Sequence, residues 1–225
     1  LAFGGGGGHL YRAPEVSGDG QVFTFSAWVR RDSAGDSDVL YSTVNSADGN
    51  NNRVRISFED DDRLYVGTQD AGGSHYLSTA ERFTDTDWHH LVVAVDTTQA
   101  EASGRINIFF DGVAVEDFWR PDYPDQGTEL LVNQAGAGQY LGRLSQYRGY
   151  HLDGALREVQ LVDGTALDAS AFGSLADGDW QSQPYAGNYG TNGFRLDFDD
   201  TANAGLDGSG QGNHWTTVGG GASDL

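Results

Sequence analysis

The stretch Trp88-His-His-Leu-Val-Val-Ala-Val-Asp96 and the nearby stretch Arg105-Ile-Asn-Ile-Phe-Phe-Asp-Gly-Val-Ala-Val115 decide the fold of this 225-residue chain. In both, apolar side chains recur at every second position, which is the period of a β-strand with one face on a core. Asp111-Gly112 lies within the second stretch and favours a type I′ turn. Such a turn needs a positive φ at both central positions, and Asp and Gly adopt a positive φ at little cost. The two stretches therefore predict antiparallel strands, the second of which ends in a hairpin.

Other stretches of the chain show the same alternation. Arg53-Val-Arg-Ile-Ser-Phe-Glu59 and Arg63-Leu-Tyr-Val-Gly67 flank the acidic turn 60–62 and predict a second hairpin with one solvated face. No long helical pattern is present. The inward-facing positions of all these strands are expected to form one core between two sheets. That core would contain Phe23, Phe25, Val54, Ile56, Phe58, Leu91, Val93, Ile106, Ile108, Phe110, Leu196 and Phe198.

Several motifs resemble those of a known family. Phe23-Thr-Phe-Ser-Ala-Trp-Val29 is similar to the strand that opens many laminin G-like domains, and the Trp-His-His strand with its Asp-Gly hairpin is similar to their centre. The segments Tyr140–Arg143 and His151–Val162 together resemble a strand pair near the far edge of the same domains. The chain thus resembles a laminin G-like domain of the concanavalin A-like lectin/glucanase superfamily. This resemblance implies an all-β fold, an antiparallel two-sheet jelly-roll sandwich of the concanavalin A-like type.

The order of one element departs from the family pattern. The strand Gly193–Asp200 and the loop Leu206–Trp215, which contains the pattern D-x-S-G-x-G-N-H, precede the other motifs in many laminin G-like domains, but here they come last. Either the order is circularly permuted, which neighbouring termini would allow, or these residues begin another module. The arrangement resembles that of laminin G-like domains in structural proteins of tailed viruses.

Glycine content suggests a boundary near the start of the chain. Residues 1–19 include five consecutive glycines, 4–8, which maximise backbone freedom and predict a flexible lead-in. The alternative is a strand edge that packs closely on another chain. Residues 20–225 are then expected to form a single laminin G-like sandwich domain, because sandwiches of this length commonly run undivided.

Composition and charge exclude several classes of function. The chain has 33 acidic residues against 13 basic ones, all of them arginine, and a formal net charge of −20. Such a surface repels phosphate, so nucleic acid and anionic membranes are expected to be poor partners. Membrane insertion is not expected either, because the sequence has no run of about 18 apolar residues. Cysteine is absent, which excludes disulfides and thiolate sites. The lysine-free acidic composition fits a protein that works in concentrated salt, and its alternative is an ordinary acidic protein from a GC-rich genome.

Catalytic patterns are not found in the sequence. A jelly-roll glucanase would supply its two carboxylates from an E-x-D-x-x-E strand, and that motif is absent. Asp197 and Asp199 share one strand face, but an acidic protein carries many such solvated carboxylates. His89 and His90 are adjacent on a strand and point to opposite faces, so they cannot chelate one ion. We therefore expect a protein that is not an enzyme.

Calcium is the candidate cofactor. Hard cations take several oxygen ligands, and glycine-rich loops with Asp and Asn supply both side-chain and carbonyl oxygens. Asp207 and Asn213 lie in such a loop, and Asp199 could complete the ligand shell. A glycine-rich loop can also close on itself without a metal, so both interpretations stay open.

An aromatic loop is the candidate ligand-binding segment. Residues 117–126 contain Trp119, Arg120 and Tyr123 among other aromatic and proline residues. Aromatic faces beside charged groups can stack on sugar rings, form a protein interface or pack locally. We expect contacts through such loops, because a sandwich holds them on a rigid frame.

The functional hypothesis from sequence is a non-enzymatic structural or decoration protein on the exterior of a virus particle whose host is halophilic. It would form a homo-oligomer, contact other virion or surface proteins and touch glycans. The alternative is a carbohydrate-binding, lectin-like module of a secreted or surface protein. Fold and motif order alone do not distinguish the two.

The net charge generates a prediction about salt. We expect the melting temperature to rise substantially between about 0.1 M and about 2 M KCl, because screening weakens the repulsion among carboxylates as the Debye length falls to about 3 Å near 1 M. Thermal unfolding followed by circular dichroism measures it. A melting temperature independent of salt would contradict the hypothesis that the acidic composition is an adaptation to concentrated salt.

Overall fold

The computed structural model describes residues 1–4, 7–45, 53–70, 73–145, 148–200, 202–219 and 222–223. Strands dominate these residues, among which two single 3₁₀ turns lie at Ala102–Gly104 and Ala169–Ala171. Within these ranges, no helix has the length and apolar character needed to cross a membrane. The strands are β1 (Ala2–Phe3), β2 (His9–Arg12), β3 (Val22–Arg31), β4 (Asp38–Val44), β5 (Arg53–Phe58), β6 (Leu64–Asp70), β7 (Gly73–Thr79), β8 (His89–Asp96), β9 (Ile106–Phe110), β10 (Val113–Ala114), β11 (Phe118–Pro121), β12 (Gly138–Leu141), β13 (Arg143–Ser145), β14 (Arg148–His151), β15 (Gly154–Asp163), β16 (Gly173–Ala176), β17 (Asp179–Ser182), β18 (Phe194–Leu196), β19 (Thr216–Val218) and β20 (Ala222–Ser223).

Two eight-stranded antiparallel sheets form the sandwich. The first sheet has the order β10-β9-β8-β3-β15-β1-β20, with β18 also paired to β15, and the second has the order β11-β7-β6-β5-β4-β12-β2-β19. Two separate hairpins, β13–β14 and β16–β17, lie outside the sheets. This architecture confirms the predicted all-β, antiparallel two-sheet jelly-roll sandwich.

One hydrophobic core fills the space between the sheets. Every residue expected in the core belongs to a single cluster, although Phe110 and Phe198 are only partly buried against it. The ring of Phe25 stacks on that of Tyr41 across the sandwich, with centroids 5.1 Å apart. The predicted hairpin is also confirmed, because Asp111 and Gly112 both have positive φ values, 48° and 80°.

The first sheet has a covered outer face. A second, smaller apolar cluster packs there, and it includes Val92, Phe172 and Tyr189 with the partly buried Trp180. The residues that follow β15, including the hairpin β16–β17, supply most of this cover. The outer face of the second sheet carries no equivalent apolar layer among the described residues, so its side chains are available for contacts.

The start of the chain differs from the expected lead-in over 1–19. Strand β1 pairs with β15 and β20, and β2 pairs with β12 and β19, so both are integral to the sheets. Leu10 is fully buried and belongs to the main core. The lead-in prediction is wrong for the described part of this segment, because apolar residues on either side of the glycines contribute to the core. The residues Gly5 and Gly6 lie outside the described ranges.

The late strand and loop belong to the same sandwich. In β18, Phe194 pairs with Leu161 and Leu196 pairs with Val159 of β15. Both β18 residues, together with Trp215, are buried in the main core. This excludes the alternative in which these residues begin another module.

The place of β2 in the sheet generates a stability prediction. Leu10→Ala should lower the free energy of unfolding by about 2–5 kcal/mol, the usual cost of truncating a buried leucine. Val16→Ala is the matched control, since Val16 lies in the segment between β2 and β3 and is 63% exposed. Chemical denaturation of both variants measures the difference. Equal free energies of unfolding for the two variants would indicate that Leu10 does not stabilise the core and that the segment is a lead-in.

Candidate functional site

Four side chains form a continuous stack on the outer face of the second sheet, one from each of the neighbouring strands β5, β6, β7 and β11. The guanidinium carbon of Arg55 lies 4.3 Å from the ring centroid of Tyr65. The rings of Tyr65 and Tyr76 are stacked, with centroids 5.4 Å apart and planes 30° apart. The guanidinium carbon of Arg120 lies 3.8 Å from the ring centroid of Tyr76. We call these four residues the arginine–tyrosine ladder.

Gly67 makes the ladder possible. It lies opposite Arg55 on one side and opposite Tyr76 on the other. The Tyr65 ring leans across this glycine, and a Cβ at Gly67 would lie 2.3 Å from Cε1 of that ring. The absence of a side chain therefore lets Tyr65 bridge two strands. Burial raises the pKa of Tyr65, and the positive charge of Arg55, together with a hydrogen bond from it, opposes that rise.

A groove of about 130 Å³ lies beside the ladder. The hairpin β13–β14 forms one wall, and it is attached to the sheet by the Ser42 hydroxyl, which donates to the Arg143 and Leu144 carbonyls at 2.7 and 2.6 Å. Tyr150 of this hairpin is 46% exposed and faces the groove. The lining residues are Arg53, Arg55, Tyr65, Gly67, Thr68, Gln69, Ser74, Leu144 and Tyr150.

The predicted ligand residues divide between this surface and the core. Trp119 and Arg120 lie on the edge strand β11, and Trp119 is 66% exposed with the Arg63 guanidinium 5.2 Å from its ring centroid. Tyr123 packs against the main core, where burial raises its pKa. Two of the three predicted residues thus lie on the same sheet as the ladder, whereas Tyr123 contributes to packing. Their role in ligand binding stays a prediction.

Sequence reasoning missed Arg55, Tyr65 and Tyr76. The outward positions of the predicted hairpin 53–67 were visible in the alternation, and they contain Arg, Arg, Tyr and Gly. That pattern could have identified a solvated face rich in arginine and tyrosine. It could not identify the contact with Arg120, which depends on the pairing of β11 with β7.

A second, larger cavity of about 590 Å³ lies at the side of the sandwich. Its lining includes His89, whose Nδ1 lies 2.6 Å from Asp111 Oδ2 and whose Nε2 lies 2.6 Å from Asp85 Oδ1. Hydrogen bonds to Asp111 and Asp85 raise the pKa of His89 to about 9. His90 points the other way and is buried, and burial lowers its pKa to about 4. The two imidazoles therefore do not share a ligand.

The loop expected to bind calcium is closed by its own hydrogen bonds. Asp207 Oδ1 accepts from the Arg195 and Ser209 backbone amides at 2.9 and 2.8 Å. Oδ2 of Asp207 accepts from the Ser209 hydroxyl and the Asn213 amide at 2.9 and 2.8 Å. The Asn213 side-chain nitrogen donates to two backbone carbonyls.

These contacts do not fit a calcium ion. Calcium requires free oxygen lone pairs, but both carboxylate oxygens of Asp207 already accept two hydrogen bonds each. Asp199 lies on the exposed segment after β18, and its amide donates to Asp197 at 3.1 Å. No group of three or more His, Asp or Glu side chains within the described ranges could hold a metal. Calcium binding stays a prediction without support from this donor set.

Asp197, one of the two carboxylates considered for catalysis, is held in an ion-pair network. Asp197 Oδ2 lies 3.2 Å from Nη1 of Arg195. The same guanidinium makes a bidentate pair with Glu158, with distances of 3.0 and 2.8 Å. This network ties β18 to β15 and explains the outward position of Asp197 structurally.

Comparisons with known proteins agree with this architecture. A laminin G family model, described as the concanavalin A-like lectin/glucanases superfamily, matches residues 4–171. The chain belongs to this superfamily. A search of curated protein sequences finds no match.

Solved structures share the fold of this superfamily member at low identity. A putative carbohydrate binding protein from Bacteroides ovatus has a TM-score of 0.58 and 16% identity, over 94% of this chain and 56% of that one. Domain 4 of an extracellular arabinanase from Geobacillus stearothermophilus, solved with arabinotriose, has a TM-score of 0.54 and 14% identity, over 75% and 72%. Domains LG4-5 of the mouse laminin α1 chain have a TM-score of 0.54 and 13% identity, over 75% and 43%. The aligned region is thus about half the length of the first and third of these chains.

The closed Asp207 loop generates a prediction about metal removal. Asp207→Ala should lower the free energy of unfolding by about 1–3 kcal/mol or more, because buried donors lose their acceptor. Asp199→Ala, at an exposed carboxylate, is the control and should have little effect. A chelator should leave the wild-type melting temperature unchanged. If a chelator lowers it in the wild type but not in Asp207→Ala, calcium binds there after all.

Proposed function

We propose that this chain is a non-catalytic carbohydrate-binding module that uses the outer face of its second sheet. The observation that carries the proposal is the groove beside the arginine–tyrosine ladder, which exposed Tyr150 lines. Trp119 is exposed on β11, the edge strand of the same sheet. Fold neighbours support it, because one is described as a putative carbohydrate binding protein and another was solved with arabinotriose.

The chemistry of the groove suits a sugar. A sugar ring has apolar C–H faces and hydroxyls at its edge, so it needs an aromatic surface together with hydrogen-bonding groups. Tyr150 offers an exposed ring, while Gln69 and Ser74 offer amide and hydroxyl groups within the same lining. The Tyr65 ring is already covered by Arg55 and Tyr76, so its hydroxyl edge rather than its face is available.

The same lining supports a proposal of binding without cleavage. Glycoside hydrolysis uses two carboxyl groups on opposite sides of the scissile bond. Among the described residues that line the groove, none carries a carboxyl group. Asp197, the earlier candidate, belongs to the ion-pair network on the first sheet. We therefore propose recognition as the role of this face.

The assignment to a virus particle stays a prediction. Neither the described contacts nor the fold neighbours favour a virion over a cell surface or a secreted protein. A halophilic host, a homo-oligomer and other virion or surface proteins as partners also stay predictions. An extracellular or surface location is the expectation that fits a carbohydrate-binding module.

A glycan array followed by titration calorimetry tests the proposal. The wild-type chain should bind a subset of oligosaccharides, and Tyr150→Ala and Trp119→Ala should each weaken binding by about 1–4 kcal/mol, the range for aromatic anchors at binding sites. Gly67→Ala should also weaken binding, since its methyl group would displace the Tyr65 ring while the strand persists. Leu175→Ala is the control, because Leu175 is 71% exposed on the hairpin β16–β17 beside the other sheet.

Two outcomes contradict the proposal. One is an array on which no glycan binds. The other is binding that survives in Tyr150→Ala, Trp119→Ala and Gly67→Ala alike, because the ligand would then lie elsewhere on the sandwich. Melting temperatures close to that of the wild type show that each variant remains folded.

A further inference from the structure

Arg120 is an unusual arginine for so acidic a chain. The protein carries 33 acidic residues, yet no carboxylate pairs with Arg120 within the part of the chain that the structure describes. Its side chain is exposed on the edge strand β11, and its one described contact is with the Tyr76 ring, 3.8 Å away. The hydrogen-bonding edge of this guanidinium is therefore uncommitted in the folded chain.

Stacking positions that guanidinium for an oxyanion. A guanidinium that lies on an aromatic ring uses its flat face for the contact and keeps its N–H groups, which lie in the plane, for a ligand. Because the ring already restricts the side chain, less conformational entropy is lost when a ligand binds. Arginine has five donors and no acceptor, so it recognises acceptors, and a carboxylate matches two of its parallel N–H groups.

The opposite end of the ladder carries more positive charge. Arg55 and Arg53 project from the same face of β5 and both line the groove. Three acidic residues nearby have partners of their own. Glu59 Oε1 lies 3.1 Å from Nη2 of Arg55, Asp61 Oδ2 lies 3.0 Å from Nε of Arg63, and Asp122 Oδ1 lies 3.2 Å from Nδ1 of His75. This face thus concentrates arginines in a chain whose net charge is −20.

Long-range repulsion does not prevent an anion from binding here. At physiological ionic strength the Debye length is about 8 Å, so carboxylates on the other side of the sandwich are largely screened. Contacts at hydrogen-bond distance from a guanidinium are screened much less. The local arrangement of charges therefore outweighs the net charge in choosing the ligand.

We infer that the face formed by the groove and the ladder selects glycans that carry a carboxylate, with Arg120 as the residue that binds the acid group. This inference rests on the proposed carbohydrate-binding function and names its ligand class. Neutral sugars would leave the donors of Arg120 without a charged acceptor. Trp119 and Tyr150 then provide the apolar surface for the sugar rings.

The test uses oligosaccharides that bear uronic or sialic acids, each compared with its own methyl ester. Esterification removes the charge and keeps the ring and hydroxyls, so the pair isolates the carboxylate. The wild-type chain should bind acids about 10- to 100-fold more tightly than their esters, the range for a hydrogen bond between charged groups. Arg120→Gln should reduce this ratio several-fold while affinity for the ester changes little.

Two further variants separate geometry from charge. Arg120→Lys keeps the charge but loses the planar pair of donors, so it should recover only part of the preference for the acid. Arg82→Gln is the matched control, because Arg82 is an exposed arginine that lines the other cavity and its removal changes the net charge equally. It should leave the ratio as in the wild type. Thermal unfolding of each variant is measured alongside.

The outcomes distinguish this inference from the function on which it rests. If acids and esters bind equally, or if the tightest ligands are neutral, selection for a carboxylate is wrong and carbohydrate binding stands. If Arg82→Gln lowers the ratio as much as Arg120→Gln does, net charge rather than Arg120 is responsible and the inference is also wrong. If no glycan binds at all, the proposed function fails as well.

Discussion

Strand β15 is the constraint on which the rest of the fold depends. Its backbone must be paired on both edges because it lies inside a sheet, where an unpaired N–H or C=O group is costly. One edge pairs with β3 along most of its length, while the other edge is shared by β1 at Gly154–Ala155 and β18 at Val159–Leu161. Two segments from opposite ends of the chain, β1 and β18, thus pair with the same edge of β15. This explains why a strand that comes late in the sequence belongs to the same sandwich.

A local irregularity in β15 makes that sharing possible. The pairing with β3 shifts between Arg157 and Gln160, and Glu158 has a positive φ of 47° at this bulge. The bulge turns the Glu158 carboxylate toward Arg195, whose bidentate contact connects β18 to β15. A backbone strain that would otherwise be unfavourable is therefore compensated by a charge-assisted contact. The same network accounts for the position of Asp197 without a catalytic role.

The candidate site depends on a change of sheet. After β10 the chain leaves the first sheet, and only three residues, 115–117, separate β10 from β11 on the edge of the second sheet. Pairing of β11 with β7 places Arg120 opposite Ser78 and over the ring of Tyr76. The ladder is thus a product of topology, because its members come from four strands and lie up to 65 residues apart. Other arginines form ion pairs inside the protein. Arg31, for example, is buried and paired with Asp38.

The sequence by itself determined the strands β3, β5, β6, β8, β9, β15 and β18, the Asp111-Gly112 hairpin and a part of the core. Alternation and turn preferences are local properties, so a few neighbouring residues express them whatever their distant partners. The burial of Leu10 was not predicted. Glycine content indicates how freely the backbone can move, but it does not indicate whether the apolar residues next to the glycines are buried in a core.

Tertiary structure alone decided the site. A loop rich in Asp, Asn and Gly is compatible with a metal or with self-closure, and the approach of the Arg195 amide to Asp207 favours closure. The aromatic loop was recognisable, but strand register decided that Arg120 joins the ladder while Tyr123 packs against the core. Register and sheet order depend on all strands packing together, and no local stretch of sequence encodes them.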